Sequence, residues 1–331
     1  MQQANATSAS DVIAVPAGRY QLTRRGSDDD SSAGDLDLGG RHNKTCGRAK
    51  YDLIILGAGS RTVIDGAGED RVFDARRGRF ALVSLVVTNG RTLSAGGGIR
   101  ENAGSCVAAL GLTVIRNRAA LTGGGIFSPP GTDLDLRDSA VVDNEATWDG
   151  GGIEMAGAFS FGELTRTLTN VTITGNTTGS TGGGIDDFAA PAVLQNVTIS
   201  GNEAEFDDTA IDFLTDGRFY PPPPSDMTVS SSVIDGTCSG AGFSLGGALA
   251  STGYNLETGT SCGFAMATDL QGTNPRLSAF QWRGTTPVLP LGAGSPAIDH
   301  GDPSRCPTHD QLGAPRVGAC DAGAVEAHTP R

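Results

Sequence analysis

The sequence is short of aromatic residues, at 5% of 331, and Lys44 and Lys50 are its only lysines. With so few large rings it cannot fill a thick globular core, which points to narrow layers lined by Val, Ile, Leu and Ala. A net charge of −13 argues against a nucleic-acid backbone as partner, because a surplus of carboxylates repels phosphates. The same charge leaves cation binding open. No apolar run approaches the roughly 20 residues that span a bilayer. The N-terminus carries no signal h-region, so a mature or trimmed secreted form is expected. The six cysteines include no CxxC pair and no Cys/His zinc spacing, so they read as three disulfides formed in an oxidising compartment. Cys238 with Cys262 and Cys306 with Cys320 are favoured because each closes a short loop, which leaves Cys46 with Cys106.

Against these absences stands a repeat. Gly150-Gly151-Gly152-Ile153-Glu154 recurs at Gly96 to Arg100, Gly123 to Phe127 and Gly182 to Asp186. A short β-rich run ending in Asn or Gly precedes each block, and the count from that terminal residue to the isoleucine is nine every time: Gly90 to Ile99, Asn117 to Ile126, Asn144 to Ile153, Asn176 to Ile185. Asn202 to Ile211 gives the same count and exposes a disguised copy, Asp208-Thr209-Ala210-Ile211-Asp212, without its glycines. Gly66 and Gly236 end the outer copies. Asn and Gly most readily accept the left-handed backbone of a tight turn, which is the role expected of them here.

Successive terminal residues lie 24 to 34 apart. A period of that length with short strands argues for an all-β, right-handed, single-stranded parallel β-helix, each coil one rung of a solenoid. Ankyrin and TPR arrays have similar periods but need two amphipathic helices per repeat, and Val-Thr-Ile-Thr and Gly-Gly-Gly are poor helix. Seven or more rungs about 4.8 Å apart make a rod on the order of 35 Å long. The expected organisation is a flexible N-terminus over 1–10, coils over 11–237, final coils with a disulfide-pinned cap over 238–326, and a tail over 327–331. Pro287, Pro290 and Pro296 exclude central strands in the cap, and Asp299, Asp302, Asp310, Asp321 and Glu326 there read as acceptors for backbone NH groups. The acidic turn with Asp28, Asp29, Asp30, Asp35 and Asp37 does not match an EF-hand loop. The sequons at Asn5, Asn43, Asn170, Asn176 and Asn196 carry little weight, Asn176 being a turn residue.

"VIAVPAGRYQL", "GDLDL", "LIILGAGSRTVIDGAGEDRVF" and the GGGI coils resemble bacterial secreted β-helix proteins of the pectate-lyase-like class. "STGYNLETGTSC", "LPLGAGSPAIDHGD" and "DQLGAPRVGACDAGAVE" look like the choice-of-anchor Q domain. Together the resemblance covers nearly the whole chain. It implies an extracellular, usually surface-attached protein whose activity is mostly undefined. The Cys-rich signature that often precedes such helices is absent, and no sorting segment follows within the sequence.

Because each isoleucine points inward, the next residue points out, and the coils stack Arg100, Phe127, Glu154, Asp186 and Asp212 in one column. Three adjacent carboxylates repel unless a cation, sugar hydroxyls or a shared proton relieves them. The expected site is therefore an exposed face of Glu154, Asp186 and Asp212, with Asp187 beside them and calcium as the cation that Asp186 and Asp212 could hold; no cofactor is required. Coils lengthened after Ile153 and Ile211 would raise loops carrying Phe159, Phe161, Phe219 and Tyr220, and Trp148 would add a stacking surface.

Carboxylates about 5 or 9 to 10 Å apart also fit glycoside hydrolases, so Glu154, Asp186 and Asp212 are the catalytic candidates if the protein is an enzyme. A lyase would need a base beside calcium, whereas the arginines cluster elsewhere and read as a solvated face. There is no Gly-His-Gly or Asn-Thr-Asp motif of the polygalacturonase type and no Ser-His-Asp arrangement. The preferred reading is a non-catalytic module on the cell surface or secreted, binding an extracellular polysaccharide or surface component. A polysaccharide lyase or hydrolase on the same face and a passive spacer are the alternatives.

Overall fold

A computed structural model describes residues 1, 3–4, 10–24, 34–39, 50–157, 164–188, 190–205, 209–214, 227–239 and 249–327, apart from the side chains of 209 and 214. Among them only residues 3 and 4 are helical. The coils form a parallel β-helix, of the right hand that parallel crossovers favour.

The isoleucine strands Ile99–Glu101, Ile126–Ser128, Ile153–Ala156, Ile185–Phe188 and Thr209–Leu214 form one parallel sheet, extended by Leu36–Leu38 and Phe73–Ala75 before them and Thr237–Ser239 after. Ile99, Ile126, Ile153, Ile185 and Ile211 pair in direct register and are fully buried, as the count of nine requires. Leu36, Phe73 and Cys238 continue the stack at its two ends. A larger sheet holds the Val/Thr/Ile runs, and two-residue strands such as Arg91–Thr92, Arg118–Ala119 and Glu145–Ala146 form the third side.

The asparagines do something other than relax a turn. The left-handed residue of each turn lies one position earlier, at Asn89, Arg116, Asp143, Gly175 and Gly201. Asn117, Asn144, Asn176 and Asn202 are buried instead and bond from coil to coil. Asn144 Oδ1 accepts from Asn117 N and Nδ2 at 3.0 Å each, while its Nδ2 donates to Val114 O at 3.0 Å and to Asn176 Oδ1 at 2.9 Å. The pattern repeats from Asn176 to Asn202, and it places a primary amide, with two donors and two acceptor lone pairs, where nothing else fits both neighbours.

The glycine block is dictated by close approach. A Cβ on Gly125 would lie 2.6 Å from Gly152 O of the next coil, and one on Gly124 would lie 2.4 Å from Gly151 O. Where the block is disguised, Ala210 takes the third position.

Two polar groups inside the coils carried no signal in the sequence. Arg166 is wholly buried, with Nη2 donating to Pro129 O and Ala156 O at 2.8 Å each, so it ties two loops together. Glu101, one residue past the outward column, is also wholly buried near Ser128 and Arg166.

Cys238 and Cys262 are bonded and close the end of the interior beside Phe264. Cys306 and Cys320 are bonded too, and the C-terminal segment that they pin doubles back along the outside of the large sheet. Gln311 Nε2 donates to Ser139 O, Asn170 Nδ2 to His309 O, Asn196 Nδ2 to Asp321 O, and Ala324 N to Thr198 Oγ1. Thr285 reaches as far as Gly59, in an early coil. The proline-rich stretch makes one antiparallel hairpin, Gln281–Arg283 with Thr286–Val288. Asp310 and Asp321 accept backbone NH groups, from Leu312 and Asp299 among others. Asn170, Asn176 and Asn196 are buried, which leaves these sequons no room for a glycan. Cys106 is disulfide-bonded, and its expected partner Cys46 lies outside the described residues, as do Asn5, Asn43 and Asp28 to Asp30.

Asn144→Ala should cost about 3 kcal/mol or more in urea denaturation, because it orphans buried groups on both neighbouring coils. Asp143→Gly, one residue away at a φ of 51°, should change stability by no more than about 1 kcal/mol. Equal effects at the two positions would refute the ladder as the stabilising element. Replacing Cys238 and Cys262 together by serine should cost about 3 kcal/mol for the loop that the bridge closes, read as a lower thermal midpoint in the absence of reductant.

Candidate functional site

The outward column is longer than the isoleucine blocks alone suggest. In register it reads Asp37, Asp74, Arg100, Phe127, Glu154, Asp186, Asp212 and Ser239. Its two acidic halves are settled differently. In the first, Arg76 Nε bonds Asp37 at 2.7 Å, and Arg100 bonds Asp74 through Nε at 2.8 Å and Nη2 at 2.6 Å. Burial pushes the Asp74 carboxyl up, but the Arg100 guanidinium outweighs it and holds Asp74 below the usual carboxylate range.

The second half has no such partner. Burial, then the neighbouring Asp186, pushes Glu154 well above its ordinary value. Asp186 is likewise raised well above its own, by burial first, with Asp212 and Asp149 adding to it and a hydrogen bond with Glu154 opposing. Asp212 is raised by burial, partly offset by hydrogen bonds with Thr181 and Ser239. The groups acting most strongly on these residues are carboxyls, hydroxyls and one backbone amide, with no arginine, lysine or histidine among them. Burial and like charge thus both favour the protonated forms of Glu154 and Asp186, as expected of two carboxyls on adjacent rungs without a cation.

The column is not the exposed face expected from alternation. Glu154 is 6% exposed and Asp186 and Asp212 are 3% exposed. The cause lies in the preceding glycine turn. A Cβ on Gly150 would lie 2.9 Å from both Glu154 Cβ and Oε2, and one on Gly182 would lie 2.6 Å from Asp186 Cβ. The turn thus folds back over the side chain four residues on. Thr181 Oγ1 lies 3.2 Å from both Asp186 Oδ1 and Asp149 Oδ1 and links the column to its rim. Glu154 Oε2 is buried with no hydrogen-bond partner.

Asp187 does not belong to this face. It alternates inward, is buried, and accepts from Ala190 N at 2.9 Å. Trp148 is 58% exposed, its amide donating to Leu121 O of the preceding coil at 3.0 Å, and Leu121 and Leu93 are exposed nearby. Phe159, Phe161, Phe219 and Tyr220 lie outside the described residues. Asp149 and Thr181 were missed because they belong to the turn before the glycine block, where spacing says nothing about side-chain direction. Among the described residues no group of three or more His, Cys, Asp or Glu side chains is arranged to hold a metal ion.

No protein-family model matches the chain, and no curated protein matches it. Among solved structures it is similar to the crystal structure of pectate lyase Pel9A, at 12% identity and a TM-score of 0.40, over 98% of this chain and 89% of that one. A likeness that distant says nothing of the site. Among the described residues no helix is long and apolar enough to cross a membrane.

The carboxyls make stability depend on pH in a fixed direction. Glu154 and Asp186 are raised, Glu101 is pushed by burial to about 8, and Asp35 is raised by burial and by Asp74 and Asp37 to about 7. An acid whose folded pKa is raised binds more protons folded than unfolded. Its contribution is complete below the unfolded value and is lost as pH rises to the folded one. Asp74 and Asp65, both lowered, act oppositely below about pH 4. The thermal midpoint should therefore fall by several degrees from about pH 5 to about pH 8. Asp186→Asn should remove part of that fall and raise the midpoint at the alkaline end. A variant less stable at both ends would make the column a structural hydrogen-bond array instead.

Proposed function

We propose that this protein is a secreted or cell-surface β-helix that binds a neutral glycan without turning it over, at the corner where Trp148 stands beside the Glu154, Asp186 and Asp212 column. The exposed indole next to the half-buried Asp149 carries the reading, because a solvent-facing ring with a carboxyl at its side is what a sugar ring's apolar face and its hydroxyl edge require. Repulsion between acids argues for a neutral polymer over an acidic one. The resemblance of the C-terminal motifs to the choice-of-anchor Q domain supports a surface location, and the disulfides are compatible with it.

A non-catalytic role is favoured because the paired carboxyls are almost closed to solvent and no cationic base acts on them. One feature keeps a glycoside hydrolase as the second reading: Glu154 and Asp186 are both pushed above the usual carboxylate range, and a raised carboxyl is what a general acid needs. Calcium at Asp186 and Asp212 is a third element to test, as a change in binding on chelation.

A panel of neutral and acidic polysaccharides, scored for retention and for newly formed reducing or unsaturated ends, separates these readings. Retention of a neutral polysaccharide without new ends is expected, with Trp148→Ala weakening it at least tenfold. New reducing ends that vanish in Glu154→Gln would replace binding by hydrolysis. Neither retention nor product across the panel would leave the spacer.

A further inference from the structure

The arginines read as a solvated face from the sequence are drawn together by the coiling. Arg19 and Gln21 from the first coil, Asp65, Ala67 and Gly68 from the second, Asn89 to Arg91 from the third, and Arg116 and Arg118 from the fourth line a cavity of about 460 Å³. That size lies within the range of small-molecule sites. Four guanidinium groups face one carboxylate there, in a chain whose net charge is −13.

That carboxylate is already occupied. Asp65 accepts from Ala67 N at 2.9 Å, Asn89 Nδ2 at 3.1 Å and Arg19 Nε at 2.6 Å, so it fixes Arg19 as a wall and does not serve the other three arginines. Arg91 and Arg118 are paired in register on neighbouring strands, and like charges directly opposite destabilise a sheet. Arg91 has no ion-pair partner among the described residues, whereas Arg118 meets Glu145 at 3.0 Å and Arg116 lies a loose 3.8 Å from Asp143, all at exposed positions.

The backbone gives a second, independent observation. Arg116 has a φ of +57° at the turn position that holds Asn89, Asp143, Gly175 and Gly201 in the other coils. Asn, Asp and Gly accept that conformation most easily, and arginine gains nothing from it. A strained residue at the mouth of a cavity points to a role for its side chain.

We propose that this cleft is a binding site for a tetrahedral oxyanion, a phosphate or sulfate group carried on a sugar. Guanidinium groups bind such oxyanions through paired N–H donors, and a doubly charged group satisfies several of them at once. The amides of Gln21 and Asn89 supply partners for hydroxyls. The lining contains no aromatic ring on which a nucleic-acid base could stack and no large apolar side chain to receive a peptide anchor. Arg91 and Arg118 begin the short strands of the third side, whereas Trp148 follows the end of one of them, and the proposal does not depend on the neutral-glycan reading.

Titration calorimetry with glucose 6-phosphate, glucose 6-sulfate, inorganic phosphate, inorganic sulfate and a short single-stranded DNA tests it. At least one sugar ester should bind more tightly than its inorganic ion, with affinity falling as salt is added. Arg91→Gln should weaken that binding at least tenfold at an unchanged or higher thermal midpoint. Arg116→Gly should also weaken it at least tenfold while raising the midpoint, since it removes the backbone strain together with the cation. Binding no tighter than that of the inorganic ions would mean an adventitious ion only, tighter binding of the DNA would mean a nucleic-acid surface, and either overturns the proposal. Unchanged binding in both variants, or a lower midpoint in Arg116→Gly, would overturn it too.

Discussion

Every coil is held to the next by main-chain hydrogen bonds that run along the axis, and this repeated backbone register is the constraint that everything else obeys. A slip of one residue would turn every side chain to the opposite face. The asparagine ladder is where the register is locked. Each amide reads the coil on either side by donating to one and accepting from the other, as Asn144 does between Asn117 and Asn176. An isoleucine stack alone would tolerate sliding, because apolar contact has no direction, whereas a buried amide out of register would leave donors and acceptors unpaired.

The same constraint creates the electrostatic problem of the outward column. Once strands are in register, residues at one position are forced to be neighbours whatever their charge. Arg76 and Arg100 neutralise Asp37 and Asp74 in the early coils, whereas in the later ones Glu154 and Asp186 are pushed toward their protonated forms and the Thr181 and Ser239 hydroxyls bond Asp186 and Asp212. Two solutions in one column show that the acids are not required by the architecture, since Phe127 occupies the same column without either.

Much of the fold was legible because its signal is a count. Nine residues from the turn to the isoleucine placed the inward stack and the order of the outward column correctly, and loop length picked out Cys238–Cys262 and Cys306–Cys320. The exposure of the acids was misread because alternation says which way a side chain leaves the strand, not what then lies over it; Gly150 and Gly182 cover it. The asparagines were given a turn role on propensity, and burial overrode that by making their amides interior partners. Arg166, the C-terminal segment lying along the large sheet, and the arginine cleft all depend on contacts between residues far apart in the chain, which no local pattern records.

That C-terminal segment changes how the solenoid carries load. In an open stack each coil touches only its two neighbours, and stability is close to a sum of nearest-neighbour terms. Here Gln311 bonds the coil of Ser139, Asn170 holds His309 and Arg316, Thr198 receives Ala324, and Gly323 bonds Ser231. Four coils are thereby joined through one stretch of chain, itself closed by Cys306–Cys320. Fraying a single coil in that region would mean releasing the shared segment, so these coils should open together. The acid column of Glu154, Asp186 and Asp212 lies on the same coils, so what rigidifies that part of the rod also fixes the spacing of its carboxyls. The arginine cleft lies on coils that precede the hydrogen bonds named here, and there the segment adds the contact of Thr285 with Gly59, on the coil of Asp65.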